Sequence, residues 1–238
     1  MFDKWRKYSY AAQKNQRHRV RWVLLWVFAF FIVYTILTSL VFSIRVLENE
    51  TMQPGLEKGD RFIFSSYRIY RYIPGPDISA LLHRSNIILI DRSPDRQWFL
   101  TVALDSLVRF FTAQRISLNR SEDNIFVKRL IGLPGDEISM TNFVVRVKPG
   151  GEQYSFTEFE LWDRPYESKI PATPALWDES LPFSGNMETI ILGEGEYFVL
   201  SDDRSNTNDS RTWGPVPATM IDGKALFRYW PFTRAGIP

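Results

Sequence analysis

The chain has no cysteine and only two histidines, His18 and His83, in 238 residues. Without cysteine there can be no disulfide, no thiol nucleophile and no thiolate-ligated zinc, and nothing marks the redox compartment. Two histidines cannot build a histidine metal cluster. A Ser-His-Asp triad would have to use His83, and no G-x-S-x-G element accompanies it. His83 therefore reads as an ordinary surface or core side chain. Internal repeats and low-complexity tracts are also missing. Hydrophobic residues at 45% and charged residues at 24% exclude wholesale disorder.

The charge is unevenly spread. Of 29 basic and 27 acidic residues, positions 1–21 hold seven basic ones (Lys4, Arg6, Lys7, Lys14, Arg17, Arg19, Arg21) and one acid, Asp3. The remainder has 22 and 26, a net of −4. Basicity belongs to the N-terminal tail, so no nucleic-acid partner is expected. Trp22–Ile44 follows as 23 residues without a charge. As a helix it would be about 34 Å long, enough for a hydrocarbon core of roughly 30 Å. A buried core helix would show a polar stripe, and a cleaved signal peptide a shorter apolar stretch. Acids (Glu48, Glu50, Glu57, Asp60) follow the span, which places 1–21 in the cytoplasm and 45–238 outside.

Beyond the span the chain reads mainly as strands: Arg61–Tyr70, Asn86–Ile90, Val127–Ile131, Phe143–Val147 and Tyr197–Leu200. Residues 97–113, with Trp98, Val102, Asp105, Arg109 and Phe110–Phe111, have helix length and no Gly or Pro. They fit an amphipathic helix on the outer membrane face or a helix packed on the domain. Residues 148–189, rich in Pro, Gly and acids, read as a loop-and-hairpin insertion. The expected organisation is a basic tail (1–21), a transmembrane helix (22–44), a β core (45–147 and 190–238) and that insertion.

With histidine chemistry excluded, a hydrolase here needs another base, and lysine is the main candidate. Three segments carry the chemistry: ENETMQPGLEKGD at 48–60, VKRLIGLPGDEI at 127–138 and LSDDRSNTNDSRTWGPVP at 200–217. Pro54 and Gly55 enforce a turn after Thr51. Met52, flexible and apolar, suits a substrate groove. On an alternating strand Lys128 and Leu130 face one way, and Val127, Arg129 and Ile131 the other. A buried Lys128 would lose several units from an ordinary pKa of about 10.4 and could accept a hydroxyl proton.

Together, in order and after an N-terminal span, the segments resemble the conserved boxes of type I signal peptidases, the S26 peptidase family. The family's first box is Ser-Met-x-Pro; here Thr51-Met52-Gln53-Pro54 stands in its place. The second matches at Lys128-Arg129 and Gly132-Leu133-Pro134-Gly135-Asp136, and the third at Asp202, Arg204, Asp209, Ser210, Arg211 and Trp213-Gly214. The resemblance covers roughly 20–147 and 190–232.

It implies an antiparallel β domain of signal-peptidase type behind one transmembrane helix. The implied activity is a membrane-bound endopeptidase that removes signal peptides from exported preproteins, with small substrate residues at −1 and −3. Thr51 would be the nucleophile and Lys128 the general base. Asn49 would help the Thr51 N–H at the oxyanion, and Thr207 would orient the lysine. Asp209 and Arg211 would form a structural salt bridge, and Met52 and Pro54 would contact substrate. No cofactor or metal is implied. The lipid bilayer and the secretion translocon are the other expected partners, at the cytoplasmic membrane with the catalytic domain on the outer or periplasmic side.

Four positions depart from the family pattern. Thr51 replaces the nucleophilic serine, Asn49 a serine of the oxyanion hole, Thr207 the orienting serine, and Ser85-Asn86 a Gly-Asp pair. Threonine keeps the hydroxyl but adds a methyl that restricts χ1. The alternative left open is a catalytically weakened or inactive homologue that binds preproteins or secretion partners. A self-cleaving Ser/Lys protease of the phage-repressor kind fits poorly, because the chain has a span and no helix-turn-helix.

Overall fold

The structure, a computed structural model, describes residues 10–37, 41–67, 78–93, 101, 104–105, 107–108, 111–112, 118, 124–162, 166–171 and 185–238. The chain divides into two compact units. One comprises Met1–Ser39 with Trp98–Leu118, the other Leu40–Gln97 with Asn119–Pro238.

The first unit is built on α1, Tyr10–Ile36. Its stretch Gln16–Thr35 is long and apolar enough to cross a membrane, with mean hydropathy 1.3. Trp22, Leu24, Leu25, Trp26, Phe28 and Phe30 are all exposed, so the helix is apolar around its circumference. The helix differs from the expected span at both ends. It begins within the basic tail, and Phe42–Ile44 belong to a strand instead. Those three residues pair with Ser65, Phe64 and Ile63, so strand pairing wins over apolar run length. Of the expected helix 97–113, Trp98, Val102, Arg109 and Phe110 lie outside the described residues. Val108 and Thr112 close a helical turn at 3.0 Å, and Phe111 stacks on Phe31 of α1 at 5.6 Å.

The second unit contains eleven strands among the described residues: β1 Phe42–Val46, β2 Arg61–Ser66, β3 Ile87–Asp91, β4 Ile125–Gly132, β5 Glu137–Thr141, β6 Val144–Lys148, β7 Phe156–Thr157, β8 Met187–Ile191, β9 Glu196–Leu200, β10 Val216–Pro217 and β11 Ile221–Trp230. Seven form one sheet in the order β1-β2-β11-β3-β4-β9-β10, and four form a second in the order β7-β6-β5-β8. All these pairings are antiparallel. The second sheet joins β5 and β6 to β7 and β8, so the sheets do not divide at residue 148. β5 and β6 meet through a two-residue turn, Asn142 and Phe143, both with positive φ. Phe143, expected in a strand, is therefore a turn residue.

β11, the longest strand, did not announce itself in the sequence. It lies between β2 and β3 and carries irregularities against both. At Gly223 it passes so close to β2 that a Cβ would stand 1.9 Å from the Ser65 carbonyl oxygen. Glycine is required there. β4 is buried from Val127 to Gly132, because apolar clusters cover it on both sides: Val127 packs with Met52 and Leu89, Leu130 with Tyr197 and Val199, and Ile131 with Phe198 and Leu200. This burial sets the environment of Lys128.

Candidate active site

Thr51 sits in the turn after β1. Leu47 N–H donates to the Asp60 carbonyl at 2.8 Å and Gly59 N–H to the Leu47 carbonyl at 2.8 Å, which close the 47–60 loop at its neck. Asp60, itself paired with Arg228 and Arg234, accepts from Glu57 N–H. Met52 and Leu56 are buried beneath and anchor the turn. Met52 is thus no exposed wall of a groove. Its side chain is wholly buried with Phe62 and Phe64 and forms the packing under the turn. Pro54 stays exposed and bridges to Ser168. The Thr51 hydroxyl donates to Asn49 Oδ1 at 2.8 Å. Its N–H has no hydrogen-bond partner among the described residues.

Lys128 lies at the centre of β4, only 1% exposed. Burial pulls its amine down to a pKa of about 8; Asp209 raises it, Arg211 lowers it and Asp202 raises it. Its Nζ donates to Ser201 Oγ at 2.8 Å and lies 5.8 Å from the centre of the Trp213 ring. On the opposite face of the strand, Arg129 holds Asp202 through two bonds of 2.7 and 2.6 Å and stacks on Tyr166. That bidentate pair fixes the chain just past β9 against β4. Arg129 also donates to the carbonyl of Ser85, whose φ of +68° explains why glycine would suit that position.

The segment Ser201-Asp202-Asp203 joins the two halves of the site. Ser201 receives the Lys128 amine, and Asp203 N–H donates to the Thr51 carbonyl at 3.0 Å. Three consecutive residues thus tie the lysine strand to the threonine turn. No hydrogen bond links Thr51 to Lys128 directly among the described residues.

Asp209 caps the short helix α2, Ser210–Trp213, by accepting from Arg211 N–H. Its other oxygen accepts from Ser201 N–H at 3.0 Å and pairs with Arg211 at 2.7 Å. Arg211 also donates to the carbonyls of Arg204 and Asn206, pinning the intervening loop. The expected Asp209–Arg211 pair is present. Thr207 is placed differently from the expectation. Its carbonyl accepts from Asp209 N–H and from Thr212 Oγ1, and it makes no side-chain hydrogen bond to Lys128 among the described residues. His83 is exposed. Among the described residues no group of three His, Asp or Glu gathers where a metal could sit.

A family model described as signal peptidase, peptidase S26, matches residues 19–230. The chain belongs to that family. It is 32% identical over 224 residues to signal peptidase I of Bacillus caldolyticus, covering 92% of this chain and 94% of that one. It is 30% identical over 173 residues to a probable signal peptidase I-2 of Synechocystis, covering 70% and 65%. A crystal structure of a signal peptidase I from Enterococcus faecalis aligns with 60% of this chain and 95% of its own at 20% identity and a TM-score of 0.33.

Family membership makes the chain a hydrolase, an endopeptidase of signal-peptide processing. It also casts light on what sequence reasoning overlooked. Ser201 and Glu158 escaped notice because a serine or acid in a loop carries no periodic signal, and Asp202, named in the third box, had not been paired with Arg129. One pointer was available for Ser201: it is the second residue of the third box and directly follows the apolar run of β9.

Proposed function

We propose that Thr51 and Lys128 form a hydroxyl–amine dyad with which this chain, anchored in a membrane by α1, removes signal peptides from exported preproteins. The observation that carries the reading is the buried lysine with a lowered pKa, tied through Ser201–Asp203 to the hydroxyl turn. The neutral amine takes the Thr51 proton as Oγ attacks the scissile carbonyl, and returns it to the departing amine. Water then hydrolyses the Thr51 ester with Lys128 again as base. The unpartnered Thr51 N–H is available for the oxyanion, and the Asn49 amide can supply a second donor. Attack requires the hydroxyl to turn from Asn49 Oδ1 toward the lysine.

The substrate would lie as an added strand. β9 joins β4 only from Arg129 onward, so Ile125–Lys128 keep one edge without a strand partner among the described residues. Small side chains at −1 and −3 would face the shallow space beside Thr51. The basic start of α1 faces the cytoplasm in this reading and the β unit the outer side. Such an anchor holds the site where a signal peptide's own apolar helix ends, near the lipid surface and the translocon.

A second reading is favoured by the Thr51–Asn49 hydrogen bond, which leaves the hydroxyl turned from the base: a weakened homologue that binds preproteins or secretion partners without cleaving. Cleavage of a model preprotein by the detergent-solubilised chain separates the two. Activity that disappears in Thr51→Ala and Lys128→Met supports the dyad. An inactive natural chain that gains activity as Thr51→Ser favours the binding protein.

A further inference from the structure

We propose that Ser201, and not Thr207, is the positioning residue that aims the Lys128 amine. The inference rests on the dyad reading for its catalytic meaning, but its geometry stands apart from it.

The backbone alone brings the two residues together. β4 and β9 pair antiparallel with Arg129 opposite Leu200 and Leu130 opposite Val199. Continued by one residue, that register sets Ser201 opposite Lys128, where cross-strand side chains are nearest neighbours. The side chains meet accordingly, Lys128 Nζ to Ser201 Oγ at 2.8 Å, with the lysine 1% and the serine 0% exposed. Ser201 is itself fixed, because its N–H donates to Asp209 Oδ2 at 3.0 Å. Two residues on, Asp203 N–H holds the Thr51 carbonyl. One rigid segment therefore carries the lysine's partner and the anchor of the hydroxyl turn.

The chemistry needs such a partner. A neutral primary amine has two N–H bonds and one lone pair, and free rotation about Cε–Nζ points the lone pair in any of three directions. An acceptor that claims one N–H leaves fewer, and steers the lone pair away from Ser201. The groups facing the amine are Asp209, Asp202, Arg211 and the Trp213 ring, with Ser201 the one hydrogen-bond acceptor at Nζ among the described residues. An acceptor binds the ammonium more strongly than the neutral amine. Its loss therefore lowers the amine's pKa while it disorders the lone pair.

Ser201→Ala, Ser201→Cys and Thr207→Ala in the full detergent-solubilised chain test this. Cysteine fills the space of the hydroxyl but is a poor acceptor, so it separates packing from hydrogen bonding. Two quantities are read: the pH dependence of kcat/KM on a model preprotein, and the titration of Lys128 by NMR of 13C-labelled lysine, assigned by its absence in Lys128→Met. For both Ser201 variants we expect the Lys128 titration and the acidic limb to move to lower pH, with kcat reduced about 100-fold and KM little changed. In Thr207→Ala the titration stays in place. A Lys128 titration that is unmoved or raised in Ser201→Ala overturns the proposal, and so does a lowered one in Thr207→Ala alone. The NMR titration decides the matter even if the natural chain proves inactive. Loss of the dyad reading shows instead as cleavage surviving in Lys128→Met.

Discussion

Arg204 donates to Glu158 at 2.6 Å with both side chains wholly excluded from solvent. Glu158 follows β7, and Arg204 belongs to the loop that carries the site, so this pair clamps the second sheet to the catalytic segment. Tyr166 donates to the same carboxylate, and Lys169 exchanges backbone hydrogen bonds with Asp202 and Arg204. Glu158→Gln keeps the shape but leaves the guanidinium without a counter-charge. Breaking a buried pair from one side costs about 3–5 kcal/mol. Urea unfolding should show a loss of that size, with the double variant Glu158→Leu, Arg204→Leu less destabilised than either single change. A single variant as stable as the natural chain would remove the clamp from the account.

The lowered pKa of Lys128 sets a pH dependence with a definite sign. The base acts when neutral, so cleavage rises with pH through about 8. Stability follows the same direction. The unfolded lysine, near 10.4, holds its proton at pH values where the folded one has lost it, so stability grows between about pH 8 and 10. Below that window the buried ammonium costs at most about 3 kcal/mol. Lys128→Met should therefore abolish cleavage while raising the melting temperature at pH 7. A melting temperature that falls would mean that the amine is a net stabiliser.

Asp209→Ala removes three contacts at once: the cap of α2, the Arg211 pair and the bond to Ser201 N–H. The N-cap contributes about 1 kcal/mol, and leaving Arg211 unpaired adds the cost of a nearly buried charge. The variant should lose both stability and activity. Asp209→Asn, which still can cap, should recover part of the stability but less of the activity, as compared by thermal melts and cleavage rates.

Gly223→Ala places a methyl 1.9 Å from the Ser65 carbonyl oxygen in the middle of the seven-stranded sheet. Backbone cannot move aside as a flexible side chain can. The expected loss is roughly 3 kcal/mol or more, seen as a lower urea midpoint. An unchanged midpoint would show that β2 and β11 can separate there.

The sequence alone determined the chemistry's inventory. Cysteine and histidine counts removed most hydrolytic mechanisms, a 23-residue uncharged run announced a membrane-length helix, and three spaced boxes pointed to Thr51 and Lys128. Local pattern sufficed for β2, β3, β4, β6 and β9 to within a few residues, because each is an apolar or alternating run; residues 68–70 of the first expected strand lie outside the described residues. Tertiary structure decided the rest. The apolar run gave up Phe42–Ile44 to β1, since a waiting β2 edge offered backbone hydrogen bonds. β11 was invisible because Gly223, Lys224 and Arg228 interrupt its hydrophobic pattern, yet it is central by pairing. Met52 proved to be packing, for its turn folds over the core. Which hydroxyl meets Lys128 depends on the register of two strands, which brings together residues 73 apart in the chain, a relation that no local spacing of Ser201 or Thr207 encodes.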